Sequence, residues 1–136
     1  MSKRFTDTDK WKKPWFRKLT PKNKVLWFYL LDICDNLGVF QVDIELASFM
    51  IGENITETDV DIFSEHIKKI DNNKYLIKDF VLFQYKKLKA TCKPHMYVID
   101  LIEKHDLKNE GFPIDFEILN KEIDRKARVA QGLSKG

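Results

Sequence analysis

Seven consecutive apolar or aromatic residues, Val25-Leu-Trp-Phe-Tyr-Leu-Leu31, form the densest hydrophobic stretch of the chain. Thr20-Pro21 precedes them with a hydroxyl N-cap and a proline at the first helical position. The stretch is apolar around its circumference, which predicts a helix from Pro21 past Ile33, buried on most sides, with Cys34 as a small core residue. Gly38 suits the left-handed residue that closes a helix. Val39–Val42 then reads as a short strand. Asp43 caps a second helix, Ile44–Ile51, stopped by Gly52. Thr56 with Asp59 three residues on is a variant capping box. It opens a third helix expected over Glu57–Ile70, because Val60, Phe63, Ile67 and Ile70 recur at three- and four-residue spacings.

The pattern next turns extended. Lys74–Lys78 and Phe80–Tyr85 are rich in aromatic and β-branched residues and predict two strands with a bend or bulge at Lys78-Asp79. Pro94–His105 reads as a helix with Met96, Ile99 and Ile102 on one side. Asn109–Pro113 has linker composition, and Asp115 caps an expected last helix from Phe116 to about Gln131. Near the N-terminus, Pro14 argues against a helix, and Trp15–Leu19 is expected as a short strand. The order (helix, strand, two helices joined by a tight turn, β pair, helix) predicts a mainly α, α+β fold. Its type is a winged helix-turn-helix with a small β wing and an additional C-terminal helix. The expected division is a flexible arm over residues 1–10, a winged-helix domain over 11–108, a linker over 109–114 and a C-terminal helix or tail over 115–136.

Composition bounds the class. The 136 residues are 43% hydrophobic and 33% charged, which is a globular balance. No apolar run approaches the roughly 20 residues that cross a bilayer. The N-terminus lacks the apolar core of a signal peptide. Cys34 and Cys92 stand far apart without partner motifs, so a reduced, cytoplasmic setting and no membrane partner are expected.

Charge is segmented. Residues 1–24 carry net +7, 25–73 net −8, 74–109 net +4, and 110–136 balance, for a total of +3. Two basic blocks thus flank an acidic middle. Either the basic blocks bind a polyanion on one face or they pair with the acidic middle inside the fold. In the first block Lys10, Lys12, Lys13, Arg17 and Lys18 are interleaved with Trp11, Trp15 and Phe16, a mixture that can stack on bases while holding phosphates. The aromatics are more readily core anchors. In the second block Lys86, Lys87, Lys89 and Lys93 follow the apolar Phe80–Tyr85 with no acid among them.

Trp15-Phe-Arg-Lys-Leu19, Lys24-Val-Leu-Trp-Phe-Tyr-Leu-Leu-Asp32, Cys34-Asp-Asn36, Gly38-Val-Phe-Gln-Val-Asp43 and Phe80 through Leu88 resemble the N-terminal winged-helix domain of phage replication initiators and replisome organisers. These are relatives of the DnaD-like primosomal proteins of Gram-positive bacteria. The resemblance covers about residues 11–105, and Phe83-Gln-Tyr85 is its most distinctive motif. A glycine usually follows that tyrosine in the family; Lys86 stands here instead. The resemblance implies origin or single-strand binding, self-association into a homo-oligomer, and recruitment of a helicase or helicase loader. The second domain of full-length relatives is expected to be absent.

The chemistry of the residues narrows this expectation. The helix over Glu57–Ile70 would be the one that enters the major groove. Its outward residues include Glu57, Asp61 and Glu65, which repel phosphate, with only Lys68 and Lys69 near its end. Base-specific readout is therefore not expected. DNA contact is expected through the backbone, from Lys12, Lys13, Arg17, Lys68, Lys69, Lys86, Lys87, Lys89 and Lys93. The three histidines and two cysteines show no zinc-site spacing, no glycine-rich phosphate loop exists, and no carboxylate pair stands out for acid–base work. The expected protein is not an enzyme and needs no metal or cofactor. Two functions remain: a DNA-binding module of phage or prophage replication initiation, or a winged-helix interaction module that docks or inhibits a host protein without binding DNA.

Overall fold

The computed structural model describes residues 3–114. The chain divides into two compact units, Met1–Phe80 and Val81–Gly136. The division falls inside the span read from sequence as one domain. The helix expected over 116–131 and its Asp115 cap lie outside the described residues.

The first unit opens with a 3-10 turn, Thr8–Lys12, followed by α1 (Pro14–Arg17), α2 (Pro21–Ile33), β1 (Val39–Gln41), α3 (Ile44–Ile51), α4 (Glu57–Asp61), β2 (Ile67–Asp71) and β3 (Lys74–Ile77). The strands form one antiparallel sheet in the order β1-β3-β2. Val39 pairs with Leu76 across β1 and β3, and Ile67 pairs with Ile77 across β2 and β3. The architecture is α+β with a small sheet, compatible with a winged-helix arrangement.

Local chemistry explains the elements that sequence placed well. The Thr20 hydroxyl accepts from the Asn23 N–H, and Pro21 begins α2. Asp43 accepts from the Leu46 N–H, and Gly52 ends α3 at φ 82°. Thr56 and Asp59 form the reciprocal capping box of α4, and Lys22 reaches Asp59 at 3.1 Å. Burial pushes the Asp59 carboxyl up, but the Thr56 N–H, Lys22 and the Thr56 hydroxyl together hold it below its ordinary value.

Three expectations fail. Trp15–Leu19 is not a strand; Pro14 starts the four-residue helix α1, where its missing N–H costs nothing, and Phe16 is fully buried. The helix expected over Glu57–Ile70 stops at Asp61, and Ile67–Ile70 belong to β2. A bulge between Lys69 and Asp71 breaks the two-residue alternation of that strand. It leaves Ile67 buried and Ile70 half-buried three residues apart, which imitates a helical repeat. Asn72-Asn73 is the turn of the β2–β3 hairpin, with Asn73 at φ 57°, a conformation asparagine tolerates. Residues 80–85 are not a wing strand. They form helix α5 (Phe80–Tyr85), with Phe80 and Val81 buried and Leu82 and Phe83 exposed. That rhythm is helical, and an unbroken apolar run hides it.

Nor does the stretch read as a flexible arm hang loose. The Arg4 guanidinium donates to the carbonyls of Leu31 (2.8 Å), Asp32 (3.2 Å) and Cys34 (2.7 Å) and to Asn36 Oδ1 (3.2 Å). It thereby satisfies carbonyls at the end of α2, where a cation also suits the helix dipole. The core beneath is aromatic: Trp27 packs edge-on against Trp15 at 5.4 Å and near Phe63 at 5.0 Å, with Leu26, Leu30, Phe40, Ile55, Val60, Ile77 and Phe80 around them.

The second unit contains most of α5, then α6 (Lys93–Lys104) and a 3-10 turn, Lys108–Glu110. Val98, Leu101 and Ile102 are the buried stripe of α6, whereas Met96 is exposed. Leu88 bridges Ile114 in parallel, and its N–H donates to the Pro113 carbonyl at 2.6 Å.

Candidate nucleic-acid interface

Two positively charged regions emerge, one in each unit, and the first gathers residues from both ends of its sequence. His66 sits in the turn that leads into β2. Its ring centre lies 3.9 Å from that of Trp15 of α1, the planes tilted by 31°, and its carbonyl accepts from the Lys78 N–H at 2.9 Å. Burial holds the imidazole below its ordinary value; Glu65 opposes this, while the charges of Lys78 and Lys13 add to it. The backbone bond brings Lys78, just after β3, and the ring contact brings α1, which follows Lys13, to the same histidine. Exposed Lys68 and Lys69 lie on the adjoining strand β2, and exposed Arg17 and Lys18 at the end of α1. Lys68 and Lys69 were expected on a helix; the hairpin carries them instead.

The first block is not uniformly available. Lys10 is buried, with its ammonium 4.5 Å from the Phe28 ring centre and 2.7 Å from the Thr6 hydroxyl, and burial holds its pKa below the ordinary lysine value. Lys13 pairs with Asp7 at 2.8 Å, and this hydrogen bond holds the Asp7 carboxyl low. Lys12 makes an open contact with Asp9 at 3.6 Å, the kind of exposed pair worth little. Of the interleaved aromatics Phe16 is buried and Trp15 half-buried, while Trp11 is exposed and meets Phe16 edge-on at 5.0 Å.

In the second unit Lys86, Lys87, Lys89 and Lys93 are all exposed. Lys86, Lys87 and Lys89 line the loop from α5 into α6, and Lys93 is the first residue of α6, so none of them follows a strand. The loop is ordered by the Lys89 N–H donating to His95 Nδ1 at 3.0 Å and by Tyr85 edge-on to the His95 ring at 5.3 Å. Lys86 adopts φ 60° as α5 ends, a left-handed geometry that favours glycine.

Lys78 is a member of the site that the sequence pattern does not single out, because only its backbone bond to His66 brings it to the start of β2. The α4 helix, by contrast, presents Glu57 and Asp61 to solvent and spans only five residues. Among the described residues no group of three or more His, Cys, Asp or Glu gathers as a metal site, and both cysteines are free thiols. No helix among the described residues is long and apolar enough to cross a membrane.

No family model matches the chain, and no curated protein and no solved structure matches it significantly.

Proposed function

We propose that the chain is a non-enzymatic winged-helix protein that binds DNA through phosphates, with the β2–β3 hairpin and α1 as the contact surface. The element order α2-β1-α3-α4-β2-β3 supports the winged-helix reading. The observation that carries the binding reading is the set of exposed cations on elements that meet at His66: Lys68 and Lys69 on β2, Lys78 just after β3, whose N–H donates to the His66 carbonyl, and Arg17 at the end of α1, whose Trp15 packs on the His66 ring. Cations on a hairpin and a neighbouring short helix can hold a phosphate backbone without reading bases. The acidic α4 argues against major-groove readout. The resemblance of residues 11–105 to phage replication initiators supports a role in replication initiation, with a helicase or helicase loader as the recruited partner. The lysines of the 86–93 loop offer the second unit a similar, separate capacity.

Fluorescence anisotropy with labelled single- and double-stranded DNA tests the reading. Binding at low salt that weakens steeply as salt rises is expected. Absence of binding at low salt, or binding indifferent to charge reversal at Lys68, Lys69 and Lys78, overturns it.

A further inference from the structure

Between α2 and α3 lies a groove of about 130 Å³ lined by Tyr29, Ile33, Ile44, Leu46, Ile55 and Val60 among others. Leu46 also begins an exposed apolar row along α3. Phe49 and Met50 follow it at three and four residues, on the same helix face, and are 80% and 61% exposed. A phenylalanine left this open beside an apolar groove marks a surface that another molecule covers.

The surrounding charge selects the occupant. Residues 43–65 hold seven acidic side chains and no lysine or arginine. Asp59 is buried and paired with Lys22, whereas Asp43, Glu45, Glu53, Glu57 and Asp61 are exposed. Asp43 itself lines the groove. It stands close enough to Tyr29 to reinforce the rise in the phenol pKa that burial begins. An apolar trough with an acidic border repels nucleic acid and attracts a cationic surface. We infer that the α2–α3 groove and the Leu46–Phe49–Met50 row dock a basic amphipathic helix of a partner protein, its apolar face in the groove and its lysines or arginines over the acidic border. This is the helix-in-groove mode of recognition. The inference does not rest on DNA binding, because the groove and the His66 region use different residues.

The probe is a helical peptide with leucines on one face and lysines on the other, set against a counterpart carrying glutamates in place of the lysines. Both are titrated into the isotopically labelled full chain and followed by amide chemical shifts. The lysine peptide is expected to bind with shifts concentrated in 29–33 and 44–51, and the glutamate peptide not to bind. Phe49→Ser is expected to weaken binding about tenfold or more, as loss of an aromatic anchor does, and Glu45→Lys with Glu53→Lys to weaken it further. Phe49 is exposed, so the variant keeps its fold; Met50→Ser gives an independent reading of the same row. Equal binding of both peptides, shifts centred elsewhere, or unchanged affinity in both Phe49→Ser and Met50→Ser overturns the inference. A free chain that is a dimer in sedimentation and becomes a monomer on Phe49→Ser also overturns it, by identifying a second copy as the occupant.

Discussion

Gly38 and Phe80 leave no room for each other to grow: a methyl group on Gly38 would stand 2.7 Å from the Phe80 Cβ. Gly38 also has φ 98°, and its carbonyl accepts from the Ile77 N–H at 2.8 Å. The turn before β1 is thus pressed against the first residue of α5. Gly38→Ala meets both penalties, about 1–2 kcal/mol for the left-handed backbone and about 1–3 kcal/mol for overpacking. Chemical denaturation should show a loss of about 2–5 kcal/mol, and a loss under about 1 kcal/mol would contradict the contact.

The Cys34 thiol is pushed up to about 12 by burial, although the nearby Arg4 charge pulls it back somewhat. Its Sγ accepts from Arg4 at 3.3 Å and donates to the Leu31 carbonyl at 3.3 Å. The folded protein therefore holds the thiol proton more tightly than the unfolded chain does. This contribution to stability is intact below about pH 9 and is lost as pH rises from 9.0 towards 12. The decline reaches up to about 1.4 kcal/mol per pH unit. Cys34→Ala lowers overall stability by leaving a small void, so the comparison to make is the slope. Denaturation at several alkaline pH values should give a flatter profile for the variant, and parallel profiles would count against the buried thiol.

What the sequence made legible follows from how local each signal is. Thr20-Pro21, Asp43, Gly52 and the Thr56/Asp59 pair are short-range caps, and each closes where expected. Segments whose structure depends on distant partners depart from what their local pattern predicts. Ile67 and Ile70 look helical because a bulge against β3 sets their spacing. Phe80–Tyr85 looks extended because its solvent side, Leu82 and Phe83, is as apolar as its buried side. Pro14 breaks a helix at interior positions but opens one at its start, as it does in α1. The candidate lysines stand out as charge blocks, but only the fold brings α1 and Lys78 to one histidine. The apolar face of α3 was equally hidden, since Phe49 and Met50 match any buried helix in composition.

His66 reports on that convergence. Its folded-state pKa lies below the ordinary 6.5, through burial first, with Lys78 and Lys13 adding to the effect against Glu65. A depressed histidine contributes stability that is present above about pH 6.5 and is lost as pH falls through the folded value. An NMR titration of the ring protons should place the midpoint below 6.5, and Lys78→Ala should move it upward. A midpoint unchanged by Lys78→Ala would mean that the lysine does not face the ring.

Lys86 separates charge from backbone in the second unit. At φ 60° a lysine carries a conformational cost that glycine avoids. Lys86→Gly should raise stability by about 0.5–1 kcal/mol, the relief of the strain less the added freedom of the unfolded chain. Thermal or chemical denaturation of the single variant measures it, and destabilisation would show that the lysine side chain contributes more to the loop than its backbone costs.

The salt dependence of DNA binding discriminates between the two positive regions. Each phosphate contact contributes about 0.9 to the slope of log affinity against log salt on duplex DNA, and about 0.7 on single strands. If the hairpin and α1 form the contact surface, Lys69→Ala and Lys78→Ala should each reduce the duplex slope by about 0.9 and Arg17→Ala should act alike. Lys10→Ala should leave the slope unchanged, because that ammonium is already turned into the protein over Phe28. Lys87→Ala and Lys89→Ala measure the share of the 86–93 loop on the same scale. A slope that falls only with the loop variants would move the DNA contact to the second unit. It would leave the hairpin lysines as ordinary solvated charges, and the convergence on His66 would then be a matter of folding alone.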